Sequence, residues 1–444
     1  MSSKAILLDS NLDTKNYYAT LVNGQKYALI PHLELEIGQS LNDCPIAYQT
    51  WGSLNREGNN ALVVCHALTG SSDVSDWWSP LIGPGKALDP RYYFIFCGNV
   101  LGSPYGSASP VTTNPATGRC YGTDFPPTTI RDDILAHKLV LYSLGVRQIA
   151  AVIGGSMGGM ATLEWPLCTP HGYVQNIIPI ATAADHSAWG ISWAETQRQC
   201  IYADPKFKDG HYEPRPESQP SAGLAAARMI AMLTYRSCTS FDSRFGRKPQ
   251  KHSKSSASNQ LDLIGPNLSK PSVDHREHIA TKAKKDKIAF SAQGYLHYQG
   301  EKFIKRFDAN CFLHLSNKMD SHDVTRGRTT NSGHSALKEV LGSMPPGALV
   351  VSVESDALFV PEQQERLANC LPEGSLEILE SSDGHDGFLL EFEQLDRLIQ
   401  LKLKTALPHL YSSTVSEDSN TAPKATQNRT ATVNSLVGET DGWW

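Results

Sequence analysis

Apolar residues in this chain come mostly in short unbroken runs, not in alternation. Ala61–Cys65 and the stretches 92–97, 149–153, 174–181 and 348–353 are nearly all apolar, rich in Val, Ile and Phe, and bounded by Gly, Asp, Asn or Pro. Such runs fit strands covered on both faces, the situation in a parallel sheet flanked by helices. Helical spacing appears between them. The stretch 131–144 carries Ile134, Leu135, Leu139 and Val140 and stops before Gly145. The stretches 362–371 and 388–405 also read as helices. Alternation of the two patterns predicts an open α/β sheet over 1–186 and again over 341–410.

The middle, 187–340, is richer in helical pattern and poorer in strands, which predicts a mostly helical lid. Within it, 247–287 has no aromatic residue and holds ten Lys/Arg against four Asp/Glu. A segment of that composition buries little and is expected to be a disordered surface insertion. The end, 411–444, is Ser/Thr-rich and reads as a flexible tail whose Trp443 and Trp444 can dock on the body or on a neighbouring subunit.

Composition narrows the classes. The 444 residues carry 40 Lys+Arg and 45 Asp+Glu, a net charge of −5, so there is no whole-molecule attraction for nucleic acid. No run reaches the roughly 18 apolar residues of a membrane helix. The start lacks the pattern of a secretory or transit segment. A cytoplasmic protein with no membrane or nucleic-acid partner is expected. The nine cysteines form no CxxC pair, so neither a disulfide framework nor a metal site is expected.

The strongest chemical signal is Gly154-Gly155-Ser156-Met157-Gly158, entered directly from the apolar run at 149–153. A G-x-S-x-G turn between strand and helix lifts a serine hydroxyl clear of the backbone, and the next helix aims its first N–H groups at developing negative charge. Serine is a weak nucleophile and needs a base held by a carboxylate. In this architecture the order is Ser, acid, His. Asp356 follows the run at 348–353, and His385 lies in Asp383-Gly384-His385-Asp386. Asp383 and Glu354 are rival acids. The oxyanion donors are expected to be the Met157 N–H and, from the loop after Ala61–Cys65, the Leu68 N–H. His66, at a strand end ahead of the serine, is expected to be structural or pocket-lining.

Several motifs in order carry a resemblance: His66-Ala67-Leu68-Thr69-Gly70, Asp76-Trp77-Trp78, the run from Leu101 to Gly106, the elbow itself, His186 to Trp189, Glu195 to Gln199, and Gly384-His385-Asp386. Together they resemble the homoserine O-acetyltransferase family, in its fungal branch. The resemblance implies an α/β-hydrolase fold with a helical lid, usually in a homodimer. It implies transfer of acetyl from acetyl-CoA, a co-substrate with no bound cofactor, to the side-chain hydroxyl of L-homoserine for methionine biosynthesis. It also implies that Arg228, Tyr235 and Asp386 hold the amino acid. A branch of the family acetylates L-serine, and related enzymes use succinyl-CoA. An esterase shares the elbow and triad. The chain departs from relatives at Asp185, Gly294 and His297. Asp185 reverses a charge near the start of the lid, where an effect on acceptor choice is expected.

Overall fold

The computed structural model describes residues 4–10, 13, 15–250 and 289–412. Of the basic insertion expected over 247–287, residues 251–287 lie outside the described residues, as does the tail from 413 onward.

Nine strands form one sheet: β1 (Ile6–Leu8), β2 (Lys26–Glu34), β3 (Ser40–Trp51), β4 (Ala61–Cys65), β5 (Phe94–Gly98), β6 (Ile149–Gly155), β7 (Ile177–Ile180), β8 (Leu349–Val353) and β9 (Ser375–Leu379). Their order across the sheet is β1-β2-β3-β5-β4-β6-β7-β8-β9. The first three pairings are antiparallel, and every pairing from β5 to β9 is parallel. The apolar runs became the central strands, and β4, β5, β6 and β8 are buried along their whole length. Neighbouring residues on one strand feed opposite cores. Val63 joins the cluster containing Phe96, Ile134 and Met160, while Leu62 and Val64 join the one containing Ile95, Leu395 and Ile399.

The helices are α1 (Val74–Trp77), α2 (Ile130–Ser143), α3 (Met157–Leu167), α4 (Ala188–Tyr202), α5 (Ser221–Tyr235), α6 (Cys238–Arg244), α7 (Ser291–Phe303), α8 (Ala309–Asp320), α9 (Gly333–Leu341), α10 (Pro361–Cys370), α11 (Phe392–Ala406) and α12 (Pro408–Tyr411). Thr129 caps α2 in a reciprocal box with Asp132, which satisfies two otherwise orphaned N–H groups. Helices α4 to α8 lie between β7 and β8 in the chain, and α5 packs on both α4 and α7. They form a helical cap. Helix α9, which straddles the expected boundary at 340, packs instead on α10 and places Leu337 and Val340 in the main core.

A buried ion pair ties cap to sheet layer. The Lys318 ammonium of α8, fully enclosed, donates to both oxygens of Asp133 on α2 at 2.8 and 2.7 Å and to the Leu101 carbonyl at 2.7 Å.

Three boundaries differ from expectation. The helix expected over 388–405 is a 3-10 turn, Gly384–Leu389, followed by α11. The run at 174–181 yields only a four-residue strand, β7. Tyr411, expected to open the tail, ends α12, with its hydroxyl 2.5 Å from that of Tyr93. All nine cysteines are free thiols. No helix among the described residues is long and apolar enough to cross a membrane.

Candidate active site

Strand β6 runs down the middle of the sheet, between β4 and β7, and turns sharply at Ser156. Ser156 has φ 59° and ψ −124°, a strained conformation for a residue with a side chain. The surroundings over-determine it. Its N–H donates to the Ile180 carbonyl at 3.0 Å, and its carbonyl accepts from Gly159, Met160 and the Thr182 hydroxyl. The flanking glycines are required by space. A Cβ at Gly158 would stand 2.1 Å from the Cys65 carbonyl oxygen, and one at Gly154 would stand 2.3 Å from that of Gly158. The turn therefore closes only with glycine at these two places, as the motif implied.

Ser156 opens onto a cleft between the sheet's C-terminal edge and the cap. His385, Leu68, Arg228, Tyr235 and Asp386 line the same cleft. Strand β8 delivers Asp356, and the turn after β9 delivers His385. The His385 Nδ1 donates to Asp356 Oδ2 at 2.7 Å, while Asp356 Oδ1 accepts from the Leu358 and Phe359 N–H groups at 2.8 and 2.9 Å. Both Asp356 oxygens are thus committed, which fixes the imidazole's tautomer and leaves Nε2 as the ring's basic nitrogen. The Phe359 ring stacks on the imidazole and the Phe388 ring meets it edge-on, with centroids 5.1 and 5.3 Å away. Burial alone would lower the proton affinity of His385. The charge and hydrogen bond of Asp356, with the charge of Asp386, outweigh it and raise the pKa above the ordinary value.

The rival acids are excluded by their places. Glu354 is exposed. Asp383 accepts from Arg236, Arg244 and the Ser240 hydroxyl. His66 is buried, with Nδ1 donating to the Ala67 carbonyl at 2.8 Å and Nε2 accepting from the Val100 N–H at 3.2 Å. Burial depresses its pKa to about 4, so it is a neutral brace for the loop that carries Leu68. Met157 opens α3, where the first N–H groups have no acceptor within the helix. The Leu68 N–H makes no hydrogen bond among the described residues. Leu68 lines the cleft with Ser156, while Met157 lines a separate small cavity beside His66 and His137.

The cap supplies the other wall. Helix α5 buries the Arg228 guanidinium against the Phe303 and Tyr235 rings, 5.1 and 5.7 Å from their centroids. The Tyr235 ring in turn lies 6.0 Å from that of His385. Asp386 is buried at the cleft, with its Oδ2 2.7 Å from Arg236 Nε. A buried cation and a buried carboxylate thus face one chamber with the serine and the histidine. The sequence reading missed Arg236, whose acidic partners lie about 150 positions away in the chain. It also missed Gln197, buried on α4 and lining the cleft. Gln197 stands inside the Glu195 to Gln199 motif, which was the available signal.

Asp185, where an effect on acceptor choice is expected, is half-buried and 3.8 Å from Arg366; it does not itself line the cleft, while its neighbour His186 does. His297 is exposed on α7, and Gly294 faces Gln250.

Comparison with known proteins bears on the family. Residues 60–392 match the model described as the alpha/beta hydrolase fold. The homoserine O-acetyltransferase of Cryptococcus neoformans is 44% identical, with 94% of each chain covered. That of Schizosaccharomyces pombe is 44% identical, with 90% of each covered. Among solved structures, esterase E22 superposes with a TM-score of 0.69 at 24% identity, covering 85% of this chain and 99% of its own, which speaks for the fold alone. Identity of 44% along almost the whole of both chains goes further than a shared fold, and on it the chain belongs to the homoserine O-acetyltransferase family.

Proposed function

We propose that the chain moves an acetyl group from acetyl-CoA to the side-chain hydroxyl of L-homoserine by way of an acetyl-serine at Ser156, an early step of methionine synthesis. The observation that carries this reading is the pairing, in one cleft, of a serine and a base with a buried cation and a buried carboxylate. A free amino acid has a carboxylate and an ammonium group to offer them. A guanidinium grips a carboxylate with two parallel hydrogen bonds, so Arg228 takes that end, with Tyr235 beside it, and Asp386 takes the ammonium. Within the same reading the protein works in the cytoplasm and, as the resemblance implies, as a homodimer.

In the first half-reaction, His385 Nε2 removes the Ser156 proton as the serine oxygen bonds to the thioester carbonyl carbon. The Met157 and Leu68 N–H groups receive the oxyanion. The carbon–sulfur bond breaks, and the imidazolium returns its proton to the departing CoA sulfur. In the second, His385 takes the proton of the homoserine hydroxyl as its oxygen attacks the acetyl-serine. The Ser156 oxygen leaves with the proton, and O-acetylhomoserine departs. Water must be kept from the acyl-enzyme for transfer to win over hydrolysis, and that task falls to the cap helices over the cleft.

The reading has a pH signature. His385 must be neutral to act as a base, so rate falls as pH drops through its pKa. Because the Asp356 pair raises that pKa, the acid limb of kcat/KM for acetyl-CoA should have its midpoint above about 6.5, the ordinary value for histidine. A midpoint at or below 6.5 would contradict the charge assignment.

Substituting Arg228→Ala should raise KM for homoserine roughly ten- to hundredfold, the scale of a charged hydrogen bond, while acetyl-enzyme formation stays within a few fold. Homoserine use at wild-type KM would remove Arg228 from its role. The test of the whole reading is product mass spectrometry with acetyl-CoA and either L-homoserine or L-serine. O-acetylhomoserine as the dominant product supports it. O-acetylserine keeps the mechanism but moves the acceptor by one methylene, a difference a pocket resolves by only about 1–3 kcal/mol. Free acetate alone would make the protein an esterase.

A further inference from the structure

Two carboxylates flank the catalytic histidine in sequence, Asp383 and Asp386, and one guanidinium meets both. Arg236 Nε lies 2.7 Å from Asp386 Oδ2, and its Nη1 donates to Asp383 Oδ1 at 3.1 Å. The Arg236 and Asp386 side chains are only 2% and 3% exposed. Arg244 adds a second cation to Asp383 at 2.7 Å, so the cluster balances two carboxylates with two guanidinium groups.

The backbone around this cluster is equally close. Arg236 is the residue after Tyr235, at the end of α5, the helix that carries Arg228. A Cβ on Gly384 would fall within 2.8 Å of the Tyr235 carbonyl oxygen, the Arg236 carbonyl carbon and the Ser237 nitrogen. Gly384 has φ 69°, a second reason for glycine there. The Ser237 hydroxyl donates to the Ser382 carbonyl, and the Gly384 N–H donates to the Ser355 hydroxyl next to Asp356. The end of α5 and the histidine turn therefore meet as one packed unit. Yet Arg236 lines no part of the cleft, whereas Asp386 does. It meets Asp386 from outside the chamber.

We propose that Arg236 is a positioning residue for the acceptor: by meeting both Asp386 and Asp383 it holds the Asp386 carboxylate aimed into the cleft, where it receives the ammonium group of the incoming amino acid. The proposal rests on the reading of Asp386 as the ammonium partner. It explains why a cap residue should be locked to the histidine turn. The two ends of the acceptor are held by Arg228 and Asp386, on separate elements, and Arg236 fixes the distance between those elements. A lysine in its place keeps one charge but cannot span both carboxylates, since an ammonium is a point donor and a guanidinium a fork.

The experiment compares two acceptors, L-homoserine and 4-hydroxybutanoate, which keeps the hydroxyl and carboxylate but lacks the ammonium. Wild-type protein, R236Q and R236K are assayed for kcat/KM with each, and acetyl-enzyme formation is followed separately. Wild type should prefer homoserine. In R236Q that preference should shrink roughly tenfold or more, because the buried charge facing Asp386 is removed, through a higher KM for homoserine and little change for 4-hydroxybutanoate. Acetyl-enzyme formation should stay within a few fold. R236K should fall between the two, and it carries the test if thermal unfolding shows R236Q to be misfolded. Equal losses with both acceptors, or an undiminished preference in the variants, would overturn the proposal. A wild-type protein with no preference for the ammonium would instead overturn the reading of Asp386 on which it rests.

Discussion

Replacing Ser156 with alanine should lower acetyl transfer on the order of 10⁶-fold, the scale seen when an activated serine is removed from a triad. The loss is this large because the rest of the machinery has nothing to act on. His385 is held by Asp356 to serve one oxygen, and the Met157 and Leu68 N–H groups aim at a tetrahedral centre that no longer forms on the protein. What remains is the rate given by binding and the oxyanion donors alone. The fold should be spared. The φ of 59° is imposed by the packing of Gly154 and Gly158 and by the hydrogen bonds of the Ser156 backbone, none of which uses the hydroxyl. The measurement is CoA release in a single turnover, with thermal unfolding as the control. A folded variant retaining more than about a hundredth of wild-type rate would show that another group carries the acetyl, since even one lost oxyanion donor costs about that much.

Lys318→Met should have the largest effect on stability, about 3–5 kcal/mol, the range found when one partner of a buried ion pair is removed. The ammonium is fully enclosed and satisfies both oxygens of Asp133 together with the Leu101 carbonyl. Without it the Asp133 carboxylate keeps only the Leu101 N–H, at 2.8 Å, among the contacts at this corner of α8, α2 and the loop after β5. Burial already pushes the Asp133 pKa up to about 6 against the pull of Lys318. In the variant the folded-state pKa rises further above the unfolded value. A carboxyl raised in this way binds its proton more tightly when folded, so stability falls as pH climbs above the unfolded pKa near 3.9. The deficit should therefore be greater at pH 8 than at pH 5. Urea unfolding at the two pH values measures it, and adding Asp133→Leu should recover much of the loss. A deficit under about 1 kcal/mol at pH 8 would mean that water or another cation compensates Asp133.

The parallel half of the sheet was legible because its strands are buried on both faces and so are written as unbroken apolar runs. The antiparallel half was not. Strands β2 and β3 mix buried and exposed positions and contain Pro31 and Pro45, so their apolar runs are short, 27–30 and 46–48, and each covers only part of its strand. Edge strand β9 exposes Ile378 and has the same weakness. The candidate positions Ser156, Asp356 and His385 could be proposed from sequence because the elbow marks the serine locally and strand ends set the order of acid and base. The geometry then separates Asp356 from Asp383 and Glu354, which sequence order alone could not rank. Arg236 was invisible for the opposite reason. Its meaning lies in a pairing across 147 positions with Asp383, and a lone arginine after a helix gives no sign of it. The departure at Asp185 could not be placed from sequence either: only the fold sets it one residue from the cleft-lining His186, with its own side chain 3.8 Å from Arg366.

The central claim is that an acetyl group rests on Ser156 between donor and acceptor. It is tested most directly by mixing the protein with acetyl-CoA alone, mapping the acetylated peptide by mass spectrometry, and then adding L-homoserine. The account predicts one acetyl group on the peptide containing Ser156, discharged by homoserine much faster than by water, with O-acetylhomoserine appearing at the same rate. Product formed while Ser156 stays unmodified, or discharge no faster with homoserine than with buffer, would contradict it.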